Sequence, residues 1–329
     1  MSKYLVAPLN WGLGHASRCV PLVRRFLDEG HEVILGGDGD SLTLLRKHFP
    51  NLRYVRLAPL NLRYGSGKRQ VWAMIRALPQ LLLRAVKDHA MLQAVLREEH
   101  IDRVVSDNRF GLYSTATESV YITHQLHIML PQGWRWLEPL AERLHARIYR
   151  RFNEVWVPDY EDPAQSLSGA LGHPQSAIIH HPSAIIHYIG PLSRFEGCTR
   201  DDTKSYPEHL TTVVLSGPEP QRTMLERELL QRFAGTQDPV IIVQGLPGRP
   251  NTRITRGKIT VVPYMNDTEM AQTLLHSGHI IARSGYSTIM DLHALGLLDR
   301  AELIPTPGQP EQEYLARLLA RGTGSKVTC

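Results

Sequence analysis

The strongest constraint on the fold comes from residues 279–314, where short apolar runs alternate with a glycine turn and a helical pattern. Ile280–Ala282 and Ala301–Ile304 are expected to form strands, and a helix is expected to open between them near Ser287 or Thr288. Two strands joined by a helix are typical of neighbouring parallel strands. The stretch therefore predicts an α/β fold.

A tight turn at Arg283, Ser284 and Gly285 joins the first of these strands to the helix. The start of a helix presents unpaired backbone N–H groups and a positive dipole end, and a glycine there lets a phosphate approach the backbone. Asp291 follows about one turn into the helix, where its carboxylate would accept hydrogen bonds from a ribose diol. Donors and acceptors suited to sugar hydroxyls follow the second strand, at Gln309, Glu311 and Gln312. This unit predicts a site for a nucleotide diphosphate sugar.

The N-terminus shows the same kind of pattern. An apolar strand at Tyr4–Pro8 leads into a glycine loop at residues 10–15, a helix at about 16–29 and a second strand at 31–35. This unit is typical of a doubly wound parallel sheet. A dinucleotide-binding dehydrogenase is a less favoured alternative, because the loop lacks the third glycine of that fingerprint although Asp38 and Asp40 follow at a suitable distance.

The chain is expected to contain two such domains, since 329 residues suffice for two hydrophobic cores. In the first, further strands are expected at 101–106 and 121–124, with 155–158 closing the sheet. A break at Gly190-Pro191 separates residues 1–190 from a second pattern in 191–329. Its strands are expected at 212–215, 240–243 and 259–262, with helices at about 221–233 and 268–276.

Composition limits the setting of the protein. The three cysteines are far apart and lack C-x-x-C spacing, so they predict neither a disulfide framework nor a zinc site. No apolar run reaches the ~20 residues needed to cross a bilayer, and the N-terminus is unlike a signal peptide, so we expect a cytoplasmic protein. Residues 1–150 carry 21 Lys/Arg against 13 Asp/Glu, a charge of +8, and the remainder carries −3. This asymmetry indicates an anionic partner, such as a nucleic acid or an acidic membrane surface, or else an inert basic face.

Two amphipathic stretches in the first domain favour the membrane surface over nucleic acid, which is not expected as a partner. Residues 63–97 carry seven Lys/Arg and an apolar series, with a kink expected at Pro79, and residues 132–152 combine two tryptophans with several arginines. The alternative for the first stretch is an ordinary helix pair packing on the sheet. The protein is therefore expected in the cytoplasm, with peripheral binding to the inner face of the cytoplasmic membrane as a further possibility.

The run R-S-G-Y-S-T-I-M-D at 283–291, followed by a strand, a proline and a Gln/Glu cluster before Tyr314, resembles the donor site of the family 28 glycosyltransferases, the group of MurG. The resemblance implies the GT-B architecture, two Rossmann-like domains facing a cleft. It implies that Ser284 and Gly285 bind the donor diphosphate and that Asp291, in place of the expected Glu, holds the ribose. It also implies that Gln309, Glu311 and Gln312 bind the sugar.

Two residues at strand ends are candidates for the acid–base chemistry. His15 lies on the glycine loop, and an imidazole with an ordinary pKa near ~6.5 is suited to removing a proton from an acceptor hydroxyl. Asp107 follows the strand at 101–106 and would fix the tautomer of His15 and stabilise its imidazolium form. The alternatives are that His15 only positions acceptor or phosphate, and that Asp107 is a helix cap.

Other turns are expected to complete the donor site. Backbone N–H groups of two glycine turns would contact the diphosphate, at Gly12 and Gly14 and at Ser216 and Gly217. Arg283 either adds positive charge there or ties two strands together. Gln244 and Gly245 follow another strand, and the resemblance implies that the base docks near Tyr264 and Met265. Because no Asp-x-Asp element accompanies the donor turn, metal-independent transfer without a cofactor is expected, with helix dipoles stabilising the leaving group.

The sequence thus predicts a glycosyltransferase that moves a hexose or hexosamine from a UDP-sugar to a lipid-linked or cell-envelope acceptor, with inversion. A GT-B nucleotide-sugar epimerase, which needs no acceptor, and a non-catalytic nucleotide-sugar-binding protein are the alternatives. The sequence pattern shows no final helix returning to the first domain after residue 321, so an incomplete C-terminus is also expected.

Overall fold

The computed structural model describes residues 1–59, 70–174, 185–217, 219–250, 252–323 and 326–327. For residues 70–78 and 322–327 it describes the backbone only. The chain forms two compact units. One contains Met1–Trp11 and His15–Leu192, and the other contains Gly12–Gly14 and Ser193–Cys329. Each unit is built around its own sheet of seven strands.

The first unit is an open sheet of parallel strands in the order β3-β2-β1-β4-β5-β6-β7. The strands are β1 Lys3–Pro8, β2 Glu32–Gly37, β3 Tyr54–Arg56, β4 Arg103–Asp107, β5 Glu118–Ile122, β6 Glu154–Val157 and β7 Ile185–Tyr188. The helices are α1 Gly14–Asp28, α2 Gly39–His48, α3 Gln70–Glu98 and α4 Glu138–Tyr149, the last preceded by a 3-10 helix at Gln132–Leu137. The order reverses between β1 and β4, and ligands of such sheets bind at the carboxyl ends of the strands beside that point.

The apolar runs of the central strands explain this sheet. Leu5, Ile34 and Val104 are completely buried, because helices cover a parallel sheet on both faces. Leu92 of α3 packs into the same cluster, and Ala146 and Tyr149 of α4 pack with β5 and β6. The core thereby fixes where α1, α3 and α4 lie along the sheet.

One expectation for the first unit was wrong. Residues 155–158 do not close the sheet, because β7 pairs with β6 outside them. The edge strand β7 is half-exposed and contains His187, so it lacks the buried apolar run by which the other strands were recognised. Residues 63–97 were expected to be a long helical region with a kink at Pro79, or a helix pair. Residues 63–69 lie outside the described part of the chain, and from Gln70 the structure shows one helix that includes Pro79, rather than a pair. The kink stays a prediction.

The second unit has the order β10-β11-β9-β8-β12-β13-β14, and all its neighbours are parallel except β10 and β11. The strands are β8 Thr211–Val214, β9 Val240–Val243, β10 Ile254–Arg256, β11 Ile259–Val262, β12 His279–Arg283, β13 Ala301–Ile304 and β14 Lys326–Val327. The helices are α5 Gln221–Arg232, α6 Asp267–Leu275, α7 Tyr286–Ala294 and α8 Pro310–Thr323. Here the strand order reverses between β8 and β12, which places the residue 283–285 turn beside the reversal.

Local signals account for several boundaries in this unit. Asn266 caps α6 by accepting a hydrogen bond from the backbone N–H of Glu269, at 2.9 Å. Pro310 stands at the first position of α8, where its missing N–H costs nothing. The strand β10 and the helix α8 were not predicted. Within the described residues, no helix combines the length and apolar character needed to cross a bilayer.

Candidate functional site

The first group of candidate residues lies where β1 and β4 end. Pro8 and Asp107 are register partners, and the N–H of Leu9 donates to the carbonyl of Asp107 over 2.8 Å. His15 belongs to the first turn of α1, which starts directly after the glycine loop. The fold therefore brings residues that are 92 positions apart in sequence to one edge of the sheet.

His15 and Asp107 are in direct contact, as expected for a His–Asp pair. The Nδ1 atom of His15 lies 2.8 Å from a carboxylate oxygen of Asp107, which is completely buried, while the His15 side chain is 16% exposed. The carboxylate of Asp107 binds side chains of α1, which is not the helix-cap arrangement. Whether His15 removes a proton remains a prediction.

Burial opposes ionisation of Asp107, but the charge of Arg18, followed by that of His15, outweighs it and holds the pKa of the Asp107 carboxyl well below its usual range. Asp107 is accordingly ionised at neutral pH. For His15, burial is the largest influence and lowers its pKa, with Arg18 acting in the same direction and Asp107 opposing it. The ring is therefore uncharged at neutral pH, as a base must be.

Arg18 stands one helical turn after His15 and was not predicted from the sequence. The guanidinium group is buried and donates through Nε and Nη2 to the two oxygens of Asp107. Its Nη2 atom also lies 2.9 Å from Nδ1 of His15, and its Nη1 atom lies 3.2 Å from Nδ1 of His124. The only sequence signal was the i, i+3 spacing from His15 on a helix that follows a glycine loop.

A second buried ion network joins β2, α3 and the end of β4. Arg109 donates to the carboxylates of Asp38, at 2.7 Å, and Asp88, at 2.9 Å, and Arg84 donates to Asp38 at 2.9 Å. The amide of Asn10 also donates to Asp38, at 3.1 Å. With all these partners, the Asp38 carboxylate is held by the protein itself, so one of the two acidic residues named for the dehydrogenase alternative is already engaged.

The second group of candidate residues surrounds the start of α7. Gly285 is the N-cap of this helix, and a Cβ atom added there would meet no described atom within 4 Å beyond its chain neighbours and the backbone of its own helix. Gly217, after β8, has a φ of +96° and is similarly open on its Cα side. Both turns thus leave room at the carboxyl edge of the sheet, beside the positive end of a helix dipole.

The side chains of Arg283 and Ser284 are directed to the backbone. Arg283 donates to the carbonyls of Pro305, at 2.9 Å, and Gln221, at 3.2 Å, which is the tie between segments that was one of its two expected roles. Burial lowers the pKa of its guanidinium to about 10. Ser284 is buried and donates its hydroxyl to the carbonyl of Gln312 over 2.8 Å. These bonds fix the position of the turn.

Asp291 is also engaged within the protein. Ser193 donates its hydroxyl to one carboxylate oxygen over 2.7 Å, and the guanidinium of Arg194 lies 3.5 Å from the other. Burial raises the pKa of this carboxyl, and the contacts with Arg194 and Ser193 oppose that rise. The carboxylate thus holds residues 193 and 194 against α7. Its expected contact with ribose stays a prediction.

The predicted sugar-binding residues lie at the start of α8. The side-chain oxygen of Gln312 accepts a hydrogen bond from the N–H of Thr306 at 2.8 Å, and the N–H of Gln309 donates to the carbonyl of Thr306 at 3.1 Å. Glu311 is half-buried in the first turn of α8. Gln309 and Gln312 therefore help to hold the turn that joins β13 to α8, and the contact of the three residues with a sugar stays a prediction.

The remaining candidates occupy strand ends in the second unit. The side-chain amide of Gln244 donates to Glu226. Gly245 has a φ of +69°, and a Cβ atom added there would lie 2.7 Å from a backbone carbonyl oxygen. Met265 is buried and burial raises the pKa of Tyr264. Gly12, with a φ of +72°, and Gly14 belong to the segment grouped with this unit, and Ser216 precedes Gly217.

The described residues contain no cluster of three or more His, Cys, Asp or Glu suited to a metal.

No family model matches the sequence. A curated protein of Methanosarcina acetivorans, described as an uncharacterized glycosyltransferase, is 24% identical over 349 residues, covering 96% of this chain and 83% of that protein. Among solved structures, Arabidopsis thaliana UGT89C1 complexed with UDP-L-rhamnose matches with a TM-score of 0.60 at 14% identity, over 99% of this chain and 84% of that one. Acinetobacter baumannii MurG matches with a TM-score of 0.54 at 14% identity, over 99% and 85%.

The fold is that of a GT-B glycosyltransferase. The two parallel sheets are the two Rossmann-like domains of GT-B proteins, which confirms the predicted fold class. At these identities the structural likeness establishes the fold and leaves the reaction open. Together with the curated relative, it supports a glycosyltransferase of the GT-B type, while membership of family 28 stays a prediction.

Proposed function

We propose that this GT-B protein transfers a sugar from a UDP-sugar to a hydroxyl group of a lipid-linked or cell-envelope acceptor, with inversion and without a metal. The observation that carries the proposal is the contact between His15 and the buried carboxylate of Asp107 at the strand ends of the first unit. The UDP-sugar bound to the Arabidopsis neighbour and the open helix start at Gly285 support the choice of donor.

In the proposed reaction, Nε2 of His15 accepts the proton of the acceptor hydroxyl while Nδ1–H donates to Asp107. The hydroxyl oxygen forms a bond to the anomeric carbon from the face opposite the diphosphate, and the bond from that carbon to the phosphate oxygen breaks. UDP leaves with the electron pair of that bond. Backbone N–H groups at the start of α7 and after β8 stabilise the charge that develops on the diphosphate.

The test incubates the protein with UDP-glucose, UDP-galactose and the two UDP-N-acetylhexosamines, each radiolabelled in the sugar, with and without a lipid extract. Label that moves to an extractable lipid supports the proposal. Label that remains on the nucleotide with a changed sugar indicates the epimerase. Binding of UDP-sugar by calorimetry without turnover in any arm indicates the non-catalytic alternative, and absence of binding would contradict all three.

The exposed surface of α4 and its preceding 3-10 helix supports a membrane-bound acceptor. Trp136, Leu140 and Leu144 recur every four residues with 74%, 52% and 54% of their surface exposed, and Arg143 and Arg147 are exposed on the same helix. An exposed apolar row with neighbouring arginines fits the interface of an anionic bilayer. Leu82, Leu83 and Val86 form a second exposed apolar group on α3.

We propose that this α4 surface lies on anionic lipid while the acceptor is bound. Co-sedimentation with phosphatidylglycerol vesicles should exceed that with phosphatidylcholine vesicles and weaken as salt rises. The double variant Trp136→Ser and Leu140→Ser should lose most of this binding, whereas the matched exposed substitution Ile254→Ser in the second unit should not. Equal loss in both variants, or equal binding to both lipids, would contradict a specific anionic-membrane surface.

A further inference from the structure

The contacts of Arg18 set the His15 site apart from a simple His–Asp pair. Both oxygens of Asp107 accept hydrogen bonds from the Arg18 guanidinium, so the carboxylate has a cationic partner whether or not His15 is charged. Arg18 and Asp107 are both buried, and water screens little of their interaction. The arrangement is a chain of Arg, Asp and His rather than a pair.

The charges around His15 come from three elements. Asp107 at the end of β4 lies 2.8 Å from the ring, Nη2 of Arg18 in α1 lies 2.9 Å from it, and His124 follows β5 on the far side of Arg18. Cys19 contacts Asp107 through its sulfur at 3.7 Å, and burial raises the pKa of its thiol, so it stays uncharged. At His15 the charge of Arg18 therefore opposes the effect of Asp107, and burial, the largest influence, lowers the pKa of the ring further.

The same contacts bear on which ring nitrogens carry protons. A guanidinium only donates, so Nη1 of Arg18 forms a hydrogen bond with Nδ1 of His124 when that nitrogen accepts. Nη2 of Arg18 donates to the Asp107 oxygen that also faces His15. Nδ1 of His15 lies 2.8 Å from that oxygen and 2.9 Å from Nη2 of Arg18. The proposed reaction requires the proton of His15 on Nδ1, directed to the oxygen, because Nε2 then keeps the lone pair that accepts the acceptor proton.

We propose that Arg18 is a positioning residue for the base: it holds the Asp107 carboxylate in place and sets a cation beside the His15 ring. The inference rests on the proposed function, in which His15 removes the acceptor proton. Because Arg18 is buried and contacts Asp107 and His15, we expect it to influence the reaction through these two residues. Its expected signature is a change in the pH dependence of His15, with little change in donor binding.

The test titrates His15 by NMR in ¹⁵N-histidine-labelled protein, with His15→Gln used to assign its signals. In Arg18→Gln the titration midpoint of His15 should rise by about one pH unit relative to wild type, because the carboxylate then acts on the ring without the opposing cation. Arg18→Lys keeps the charge and should leave the midpoint close to wild type. Arg25→Gln, an exposed arginine of the same helix, is the matched control and should change nothing.

The kinetic arm measures kcat/KM against pH for the same variants. The acid limb should move to higher pH in Arg18→Gln together with the NMR midpoint, so that kcat/KM at pH 6 falls by roughly two- to fivefold relative to wild type. In Arg18→Lys the acid limb should stay in place while kcat falls at every pH, because a lysine keeps the charge but binds the Asp107 carboxylate less rigidly. KM for the UDP-sugar should be unchanged. Circular dichroism and UDP affinity by calorimetry establish that each variant is folded.

An unchanged or lowered His15 midpoint in folded Arg18→Gln would overturn the inference. If Arg18→Gln does not fold, the lysine variant decides: a fall in kcat with an unmoved acid limb supports the positioning role, and wild-type kinetics contradict it. The NMR titration needs no substrate. A wild-type protein without transferase activity but with the expected midpoint shift would therefore defeat the proposed function and leave the electrostatic role of Arg18 intact.

Discussion

The two units build their candidate sites at the same edge of similar sheets by different physical means. In the first unit, buried charged side chains hold one another at the strand ends, as Arg18 and Asp107 do beside His15 and as Arg109 and Asp38 do beside the glycine loop. In the second unit, the side chains of Arg283 and Ser284 hold backbone carbonyls. The second site thus depends on the backbone of the turn, and its candidate donors to a ligand are the N–H groups at the start of α7.

This difference matches two tasks. A base needs a controlled pKa, which depends on nearby charges and burial. A diphosphate needs several donors at fixed positions around it, which a helix start supplies without titratable groups. We therefore expect the first site to be sensitive to charge and pH, and the second to be sensitive to added volume.

The largest effect is expected from His15→Ala. Transfer should fall by about 10²–10⁴-fold, because the acceptor hydroxyl loses its general base. UDP affinity by calorimetry should stay within a few-fold of wild type, since the donor is expected at the other site. A variant that loses UDP binding to the same degree as activity would instead make His15 a phosphate ligand and remove the division between the two sites.

A stability effect of up to about 3 kcal/mol is expected from His145, a buried histidine of α4 among aromatic rings. Burial lowers its pKa to about 4. A histidine whose pKa is lower in the folded state stabilises the fold above its unfolded pKa near ~6.5, and this contribution is lost as pH falls toward about 4.

Urea unfolding between pH 7 and pH 4.5 measures this effect, following a tryptophan of the first unit. His145→Phe, which keeps an aromatic ring in the cluster, should show a flatter dependence of the free energy of unfolding on pH than wild type. The exposed His100 supplies the control substitution His100→Phe, which should keep the wild-type slope. An equal slope in wild type and His145→Phe would show that burial of this ring does not govern acid stability.

Adding volume at the donor turn gives the next largest effect. Gly285→Val places a side chain in open space with an ordinary φ of −74°, so the melting temperature should change little. The same side chain would stand where a diphosphate must approach the helix start, and UDP affinity should fall at least about tenfold. Gly278→Val, an open glycine at the opposite end of β12, is the matched control and should bind UDP as wild type does.

The smallest effect is expected at Asp291, where the structure shows ties to Ser193 and Arg194 and the ribose contact is a prediction. If the carboxylate also binds ribose, wild-type protein should prefer UDP over 2′-deoxy-UDP by a few-fold, about 1 kcal/mol, and Asp291→Asn should remove most of that preference. A preference that persists in Asp291→Asn assigns the carboxylate to its structural contacts alone.

Several features of the sites could be predicted because they are local. The glycine turn at 283–285 and the helix after it follow from residues within a few positions of one another, as does the base candidate on the loop before α1. Arg18 could not be recognised in this way, because its role depends on Asp107, 89 positions away. The contacts of Asp291 with residue 193 and of Arg283 with residue 221 were hidden for the same reason.

The sequence by itself determined the alternation of strands and helices, the α/β class and the turns at which ligands would bind, because hydrophobic period and glycine placement act over short distances. The tertiary structure alone decided that β7 forms the sheet edge. It also decided that Asp38 is ion-paired with arginines and that Asp107 binds Arg18 as well as His15. These outcomes depend on which strand ends meet after folding, and on the burial that makes a charge bind its partner rather than water.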